Sequence, residues 1–283
     1  MAEVRGVKEQ HALPRAQRQL YADRRIFISI AVSLVLWLVI VGPGAREGWT
    51  SEDLTRVAAE SWVQANQPMV LRHQIMGELE FGEGAEFRLL SDRYNKDGVV
   101  HHFELRKGSV HFRLQEGHQA MRLDLPTMRI TPLGSPEHAL KVEANPEGWV
   151  AVALKGEWLV TSLASIPTGP SRQVWMLPDS MAVLNPSQGP GIPFMKDVPL
   201  PIVTALRPEM EVDTVVQLAR PRDTITLVNL IPVVDDRQRS LIREKLLLMK
   251  IPCPPLNELE HPKDEVMERF RELARKAVSI TDG

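Results

Sequence analysis

The residues best equipped for chemistry in this chain of 283 are its eight histidines, its one cysteine and a few adjacent acids. His101, His102, His111 and His118 lie close together in a stretch of alternating apolar and polar residues, where zinc would need three or four converging donors. Strand side chains alternate faces with a period of two, so His101 and His102 point to opposite faces and His111 faces away from Phe112. At most two or three of them converge, with no cysteine nearby to complete a zinc set. They read as surface or turn residues, and no metal site is expected. Cys253 stands between two prolines and reads as structural rather than as a nucleophile. Asp235-Asp236 fall at a helix start, where capping and the helix dipole account for them. No His-Glu-x-x-His, phosphate-cradling glycine-lysine loop or Gly-x-Ser-x-Gly elbow occurs. The expectation is therefore no enzyme, no catalytic set and no cofactor. Trp149, Trp158 and Trp175 read as core or rim residues; exposed together, they would suit a partner protein or a glycan.

The elements that would position these residues are strands. Val99, His101, Phe103 and Leu105 share one face, and Lys107-Gly108 ends the run. Val110, Phe112 and Leu114 share the next, with His111, Arg113 and Gln115 opposite. After Glu116-Gly117 the pattern resumes with Met121, Leu123 and Leu125. This is the grammar of hairpins. Met128 and Ile130 flank Arg129, and Leu140 and Val142 flank Lys141. Residues 149–154 form a nearly unbroken apolar run that reads as a strand buried on both faces, and Gly156 separates it from Trp158-Leu159-Val160.

These residues resemble the FecR family, the extracytoplasmic domain of bacterial transmembrane regulators of iron uptake. Leu105-Arg106-Lys107-Gly108-Ser109-Val110-His111-Phe112 is similar to the family's "L-x-x-G-x-x-x-F" strand, and Thr131-Pro132-Leu133-Gly134-Ser135 to its "G-T-x-F-x-V" segment. Residues 150–160 are similar to its closing "V-x-V-x-x-G-x-V-x-V" hairpin. Ser135 stands where the family has threonine, and His138 follows where it has an aromatic. The resemblance covers about 60 residues and implies a β-sandwich that works by contact, relaying receptor occupancy to a cytoplasmic sigma-factor regulator.

Charge is nearly balanced, 34 basic against 36 acidic residues, which leaves no general field for nucleic acid. One cysteine allows no internal disulfide, so the fold must be held by its core.

Residues 1–25 are polar and carry Arg5, Lys8, Arg15, Arg18, Arg24 and Arg25, and read as a solvated cytoplasmic tail. Residues 26–42 carry no charge. As a helix they would be about 25 Å long, a little short of a hydrocarbon core of about 30 Å, and Arg24 and Arg25 can snorkel to make up the difference. The positive charge before the segment sets the N-terminus in the cytoplasm. The rest would lie in the periplasm, anchored by one span in a bacterial inner membrane. A cleaved signal peptide competes, but the apolar core exceeds the usual length of about 7–15 residues and Pro43 spoils the cleavage pattern. The tail is too short for the family's usual helical anti-sigma domain, so a direct hold on a sigma factor is not expected.

Residues 43–66 read as a stalk helix opened by Thr50-Ser51-Glu52-Asp53 and striped by Leu54, Val57, Ala58 and Trp62. Residues 67–185 form the FecR-like β domain and 186–208 a proline-rich linker. Residues 209–283 form a small helical module. The module resembles one found after FecR domains, with Asp223 to Ile231 as its "D-x-x-T-L-x-x-L-L" helix and Val228 where a tryptophan is usual. Periodicity alone suits residues 225–231 to strand or helix; the resemblance favours helix. The fold class expected is mainly β, an antiparallel sandwich of jelly-roll type between one transmembrane helix and the helical module. The expected role is protein-protein interaction in transmembrane signalling or envelope regulation, with envelope or receptor proteins and the membrane as partners. The rival is a lipid-transport or envelope-assembly component, which an open sandwich with an apolar groove would favour.

Overall fold

The computed structural model describes residues 48–51, 57–74, 76–95, 98–115, 121–134, 137–164, 173–207, 210–255 and 264–281. The expected tail and membrane span, residues 1–42, lie outside them. All but Gly48 belong to one unit, Trp49–Gly283. Among the described residues no helix is long and apolar enough to cross a membrane.

The unit is mainly β. Its strands are β1 (Thr50–Ser51), β2 (Val63–Gln64), β3 (Met69–His73), β4 (Gly77–Phe81), β5 (Glu86–Asn95), β6 (Gly98–Lys107), β7 (Ser109–Leu114), β8 (Met121–Leu125) and β9 (Met128–Leu133). β10 (His138–Asn145), β11 (Gly148–Lys155), β12 (Glu157–Ser162), β13 (Gln173–Met176), β14 (Ser180–Asn185), β15 (Gly189–Pro190) and β16 (Phe194–Met195) complete the set. One sheet runs β1-β3-β4-β7-β10-β11-β14-β15, with β16 also on β14; the other runs β13-β12-β9-β8-β6-β5-β2. Neighbours are antiparallel except β6 and β8, which run parallel. The inward faces of both sheets share one core, in which Phe81 stacks on Phe87 with centroids 3.6 Å apart and Phe112 meets Trp158.

The parallel pair shows how the chain is wired. β6 and β7 do not form the expected hairpin, because Gly108 carries the chain from the seven-stranded sheet to the nine-stranded one. Gly156 does the reverse between β11 and β12. Both glycines have positive φ, +92° and +67°, and an added Cβ would sit 2.5 Å from the Ala85 Cα and 2.4 Å from the His138 ring. Alternation alone does not separate a corner from a hairpin, since the inward residues of two facing strands repeat with the same period as those of two adjacent ones.

Other expectations are corrected. In residues 149–154 only Trp149, Ala151 and Ala153 are buried, while Val150, Val152 and Leu154 on the outer face are half-buried. Where a stalk helix was expected, Thr50 and Ser51 pair with β3, residues 57–62 are not helical, and β2 pairs with β5. The sandwich edges offer these residues backbone partners, and Val57 packs against the sandwich core.

Residues 186–208, expected as a linker, belong to the body: β15 and β16 pair with β14, and helix α1 (Leu200–Ala205) follows. Pro199 and Pro201 sit at the start of α1, where a missing N–H costs nothing. Then come α2 (Val212–Leu218), a 3-10 turn (Pro221–Asp223), α3 (Thr224–Leu230), α4 (Asp236–Leu248) and α5 (Asp264–Thr281). Every residue of α3 is buried, which explains why its sequence has no amphipathic stripe. Asp235 caps α4 by accepting from the Gln238 amide at 2.8 Å.

Candidate functional site

The helices do not form a separate module: they are bonded to the sandwich around Trp175. Trp175, Leu177, Met195, Ile225 and Ala274 share a small core where β13, β16, α3 and α5 meet. β13 is an edge strand, and an edge leaves backbone groups unpaired. Asn229 of α3 takes the place of a neighbour: the Trp175 amide donates to its Oδ1 at 2.8 Å, and its Nδ2 donates to the Trp175 carbonyl at 2.9 Å. The same Nδ2 donates to the Ile225 carbonyl, which fixes the carboxamide to its own helix. A side chain thus completes the sheet.

α5 is fastened alongside. The Arg275 guanidinium pairs with the Glu157 carboxylate of β12, and the Trp175 indole N–H donates to that carboxylate at 3.0 Å. Arg271 and Arg275 both lie 5.8 Å from the Trp175 ring centroid. Glu157 raises the affinity of Arg275 for its proton against the opposing effect of burial. For Glu268, burial pushes the carboxyl up, but bonds from Arg275 and Arg271 outweigh it and hold it below the usual range. Entry to α3 has a similar clasp. Buried Asp223 accepts from the Arg220 amide at 2.9 Å and from its Nε at 2.8 Å, while Arg220 and Arg222 both reach Asp197.

The residues singled out for chemistry are dispersed. Among the described residues no group of three or more His, Cys, Asp or Glu is placed to hold a metal. His101 is in the core with His73, and His102 is on the opposite face, as alternation requires. His102 Nε2 lies 2.8 Å from Asp124 Oδ2, near enough for attraction but poorly aligned for a hydrogen bond. Arg129 makes the bonds that count, 2.7 and 2.8 Å to the two Asp124 oxygens. Burial pushes the Asp124 carboxyl up, yet Arg129 and His102 together hold it down at about 2. His111 is on the outer face, where burial and then Arg113 lower its proton affinity. His118 lies outside the described residues. Cys253 packs on the helical core, and burial pushes its thiol up to about 11. Trp149 and Trp158 are core residues. Their sequence context did not reveal that Trp175, alone of the three, anchors the helices to the sheet; the carboxamide of Asn229 among the aliphatic residues and threonines of α3 was the available signal, since a buried carboxamide needs partners.

One cleft of about 680 Å³ opens beside this body, lined by residues that include Val183, Ile192 and Phe194, Val203 of α1, and Leu206 and Met210 after it. These arrangements hold groups together and offer surfaces for contact; the charged side chains described here are paired with one another and not aimed at a common point.

No known family model matches the chain, and no curated protein matches its sequence. Among solved structures, two from Parabacteroides distasonis, both provisionally named anti-sigma factors, overlap it in part. They are 15% and 16% identical, with TM-scores of 0.34 and 0.31. The matches cover 46% and 47% of this chain and 56% and 55% of those structures, so the chain spans a little over half of their length. Overlaps at that TM-score leave the role of this chain to be argued from its own residues.

Proposed function

We propose that this chain is a single-pass, membrane-anchored regulator of FecR type, whose body outside the inner membrane works by protein contact in transmembrane signalling or envelope regulation. The observation that carries this reading is the placement of the resembling segments. Two of them, residues 105–112 and 150–160, contain glycine corners that hand the chain between sheets, and residues 131–134 run from the end of β9 into Gly134. The quoted motifs therefore mark the wiring of a sandwich and not arbitrary strands. The uncharged residues 26–42, preceded by Arg24 and Arg25, supply the anchor. Paired charges and a filled core suit a body that binds and relays rather than one that turns over a substrate. The sandwich interior is filled by Phe81, Phe87, Phe103, Phe112 and Trp158, which gives the lipid-carrying alternative no inner groove among the described residues.

Fusing alkaline phosphatase or green fluorescent protein after Gly283 tests the placement: phosphatase activity without fluorescence is expected, and the reverse overturns the anchored, outward reading. Deleting residues 98–283 while leaving the anchor should change transcription from promoters served by an extracytoplasmic sigma factor. Unchanged transcription with correct placement would remove the signalling role.

A further inference from the structure

Trp49 is where the chain enters the described body, and two imidazoles hold its ring. His73 and His101 are both buried, with ring centroids 4.7 Å apart, and they lie 5.4 and 5.9 Å from the indole. The Trp49 indole N–H donates to His101 Nδ1 at 3.2 Å, and the Met76 amide donates to His73 Nδ1 at 3.2 Å. Indole and amide N–H groups only donate, so both Nδ1 atoms are the bare nitrogens of neutral rings. A proton on either sets N–H against N–H, breaks that bond and places a cation beside the other ring within the core. Trp49 also joins the two sheets. β1, which follows it, pairs with β3 of one sheet, while its ring meets Phe103 of β6 in the other at 5.3 Å.

We infer that Trp49, His73 and His101 form an acid-released joint, closed while both imidazoles are neutral, through which pH sets how firmly residues 49–51 are held to the sandwich. Among the described residues, the elements packed against the two rings place these groups beside them. β4 places Gly77 opposite His73, β8 places Met121 opposite His101, and β5 places Asp92 opposite His101. Beside His73, Arg72 pairs with Glu78, and beside His101, His102 faces Asp124. The direction of release does not depend on which group supports the cation, because the Trp49 indole loses its acceptor once His101 Nδ1 carries a proton. Only the neutral form is held. The joint is therefore intact above the range in which free imidazole titrates, about 6.5, and is released as the pH falls below that range. This inference stands apart from the proposed function and applies wherever the chain resides.

The test is a proton titration of the Trp49 indole in the full chain, ¹⁵N-labelled in detergent micelles, with Trp49→Phe identifying its resonance. Between pH 7.5 and 5 that resonance should move or broaden, while that of Trp158, bonded to the Lys155 carbonyl, stays in place. In the double variant His73→Asn and His101→Asn, whose Oδ1 atoms accept without taking a proton, the Trp49 resonance should no longer titrate. A wild-type resonance constant over the range overturns the joint, as does one that titrates equally in the double variant. If the double variant does not fold, the wild-type titration decides alone.

Discussion

At Asp124 a carboxylate, the Arg129 guanidinium and the His102 ring meet in a space that admits little water. A carboxyl held at about 2 in the folded state and near 3.9 when free contributes stability that is fully present above about pH 4. The contribution is lost as the pH falls through 2, and amounts to about 2 kcal/mol for a side chain only 12% exposed. Urea midpoints measured at pH 5 and pH 2.5 should therefore drop more in the wild type than in Asp124→Asn, which has already lost the pair. A variant that drops as steeply as the wild type would mean the pair contributes nothing. Cys253 offers a second check at this scale. With its thiol pushed up to about 11, the thiolate is scarce at neutral pH, and alkylation by iodoacetamide at pH 7.5 should be about 100-fold slower than in urea-unfolded chain. The flanking prolines marked Cys253 as structural, whereas the Asp124 pair was not readable from its neighbours in sequence. Arg129 is five positions from Asp124, but it is the β8–β9 register that sets them face to face.

Among the elements, the glycine corners and the edge of β13 decide whether the strands assemble as observed. Gly108→Ala puts a Cβ against the Ala85 backbone at positive φ and should cost about 2 kcal/mol or more, read from the shift in chemical denaturation. Asn229→Ala removes the partner of both Trp175 backbone groups. It should cost about 2–3 kcal/mol and raise amide exchange at β13 without raising it at β3 on the other sheet. Equal exchange at both strands would show that Asn229 does not guard this edge. Alternating residues announced most of the strands, and Asp235-Asp236 announced the start of α4. The corners and β15, β16 and α1 were not legible, because the same glycines and prolines that break a regular pattern also serve strands of two residues and the first turn of a helix.

Over the whole molecule, the helices and the sandwich share a core at Trp175 and an ion-paired seam between α5 and β12, so residues 49–283 should melt as one transition. Calorimetry of a chain beginning at Gly48 checks this. Two separable transitions, or a β body that stays folded and monodisperse after removal of residues 209–283, would show the joint to be superficial. The sequence by itself determined that the body is mainly β, that its core is aliphatic and aromatic without disulfides, that helices follow, and that an uncharged segment precedes it. Those properties depend on composition and on periods of two and 3.6, which are local. Only the tertiary structure decided which strands lie in which sheet, that the proline-rich stretch is part of the sandwich, and that Asn229, Glu157 and Arg275 close its edge. It also placed Trp49 under two histidines that are 28 residues apart. Such pairings depend on register and on the hand of each corner, which no run of neighbouring residues records.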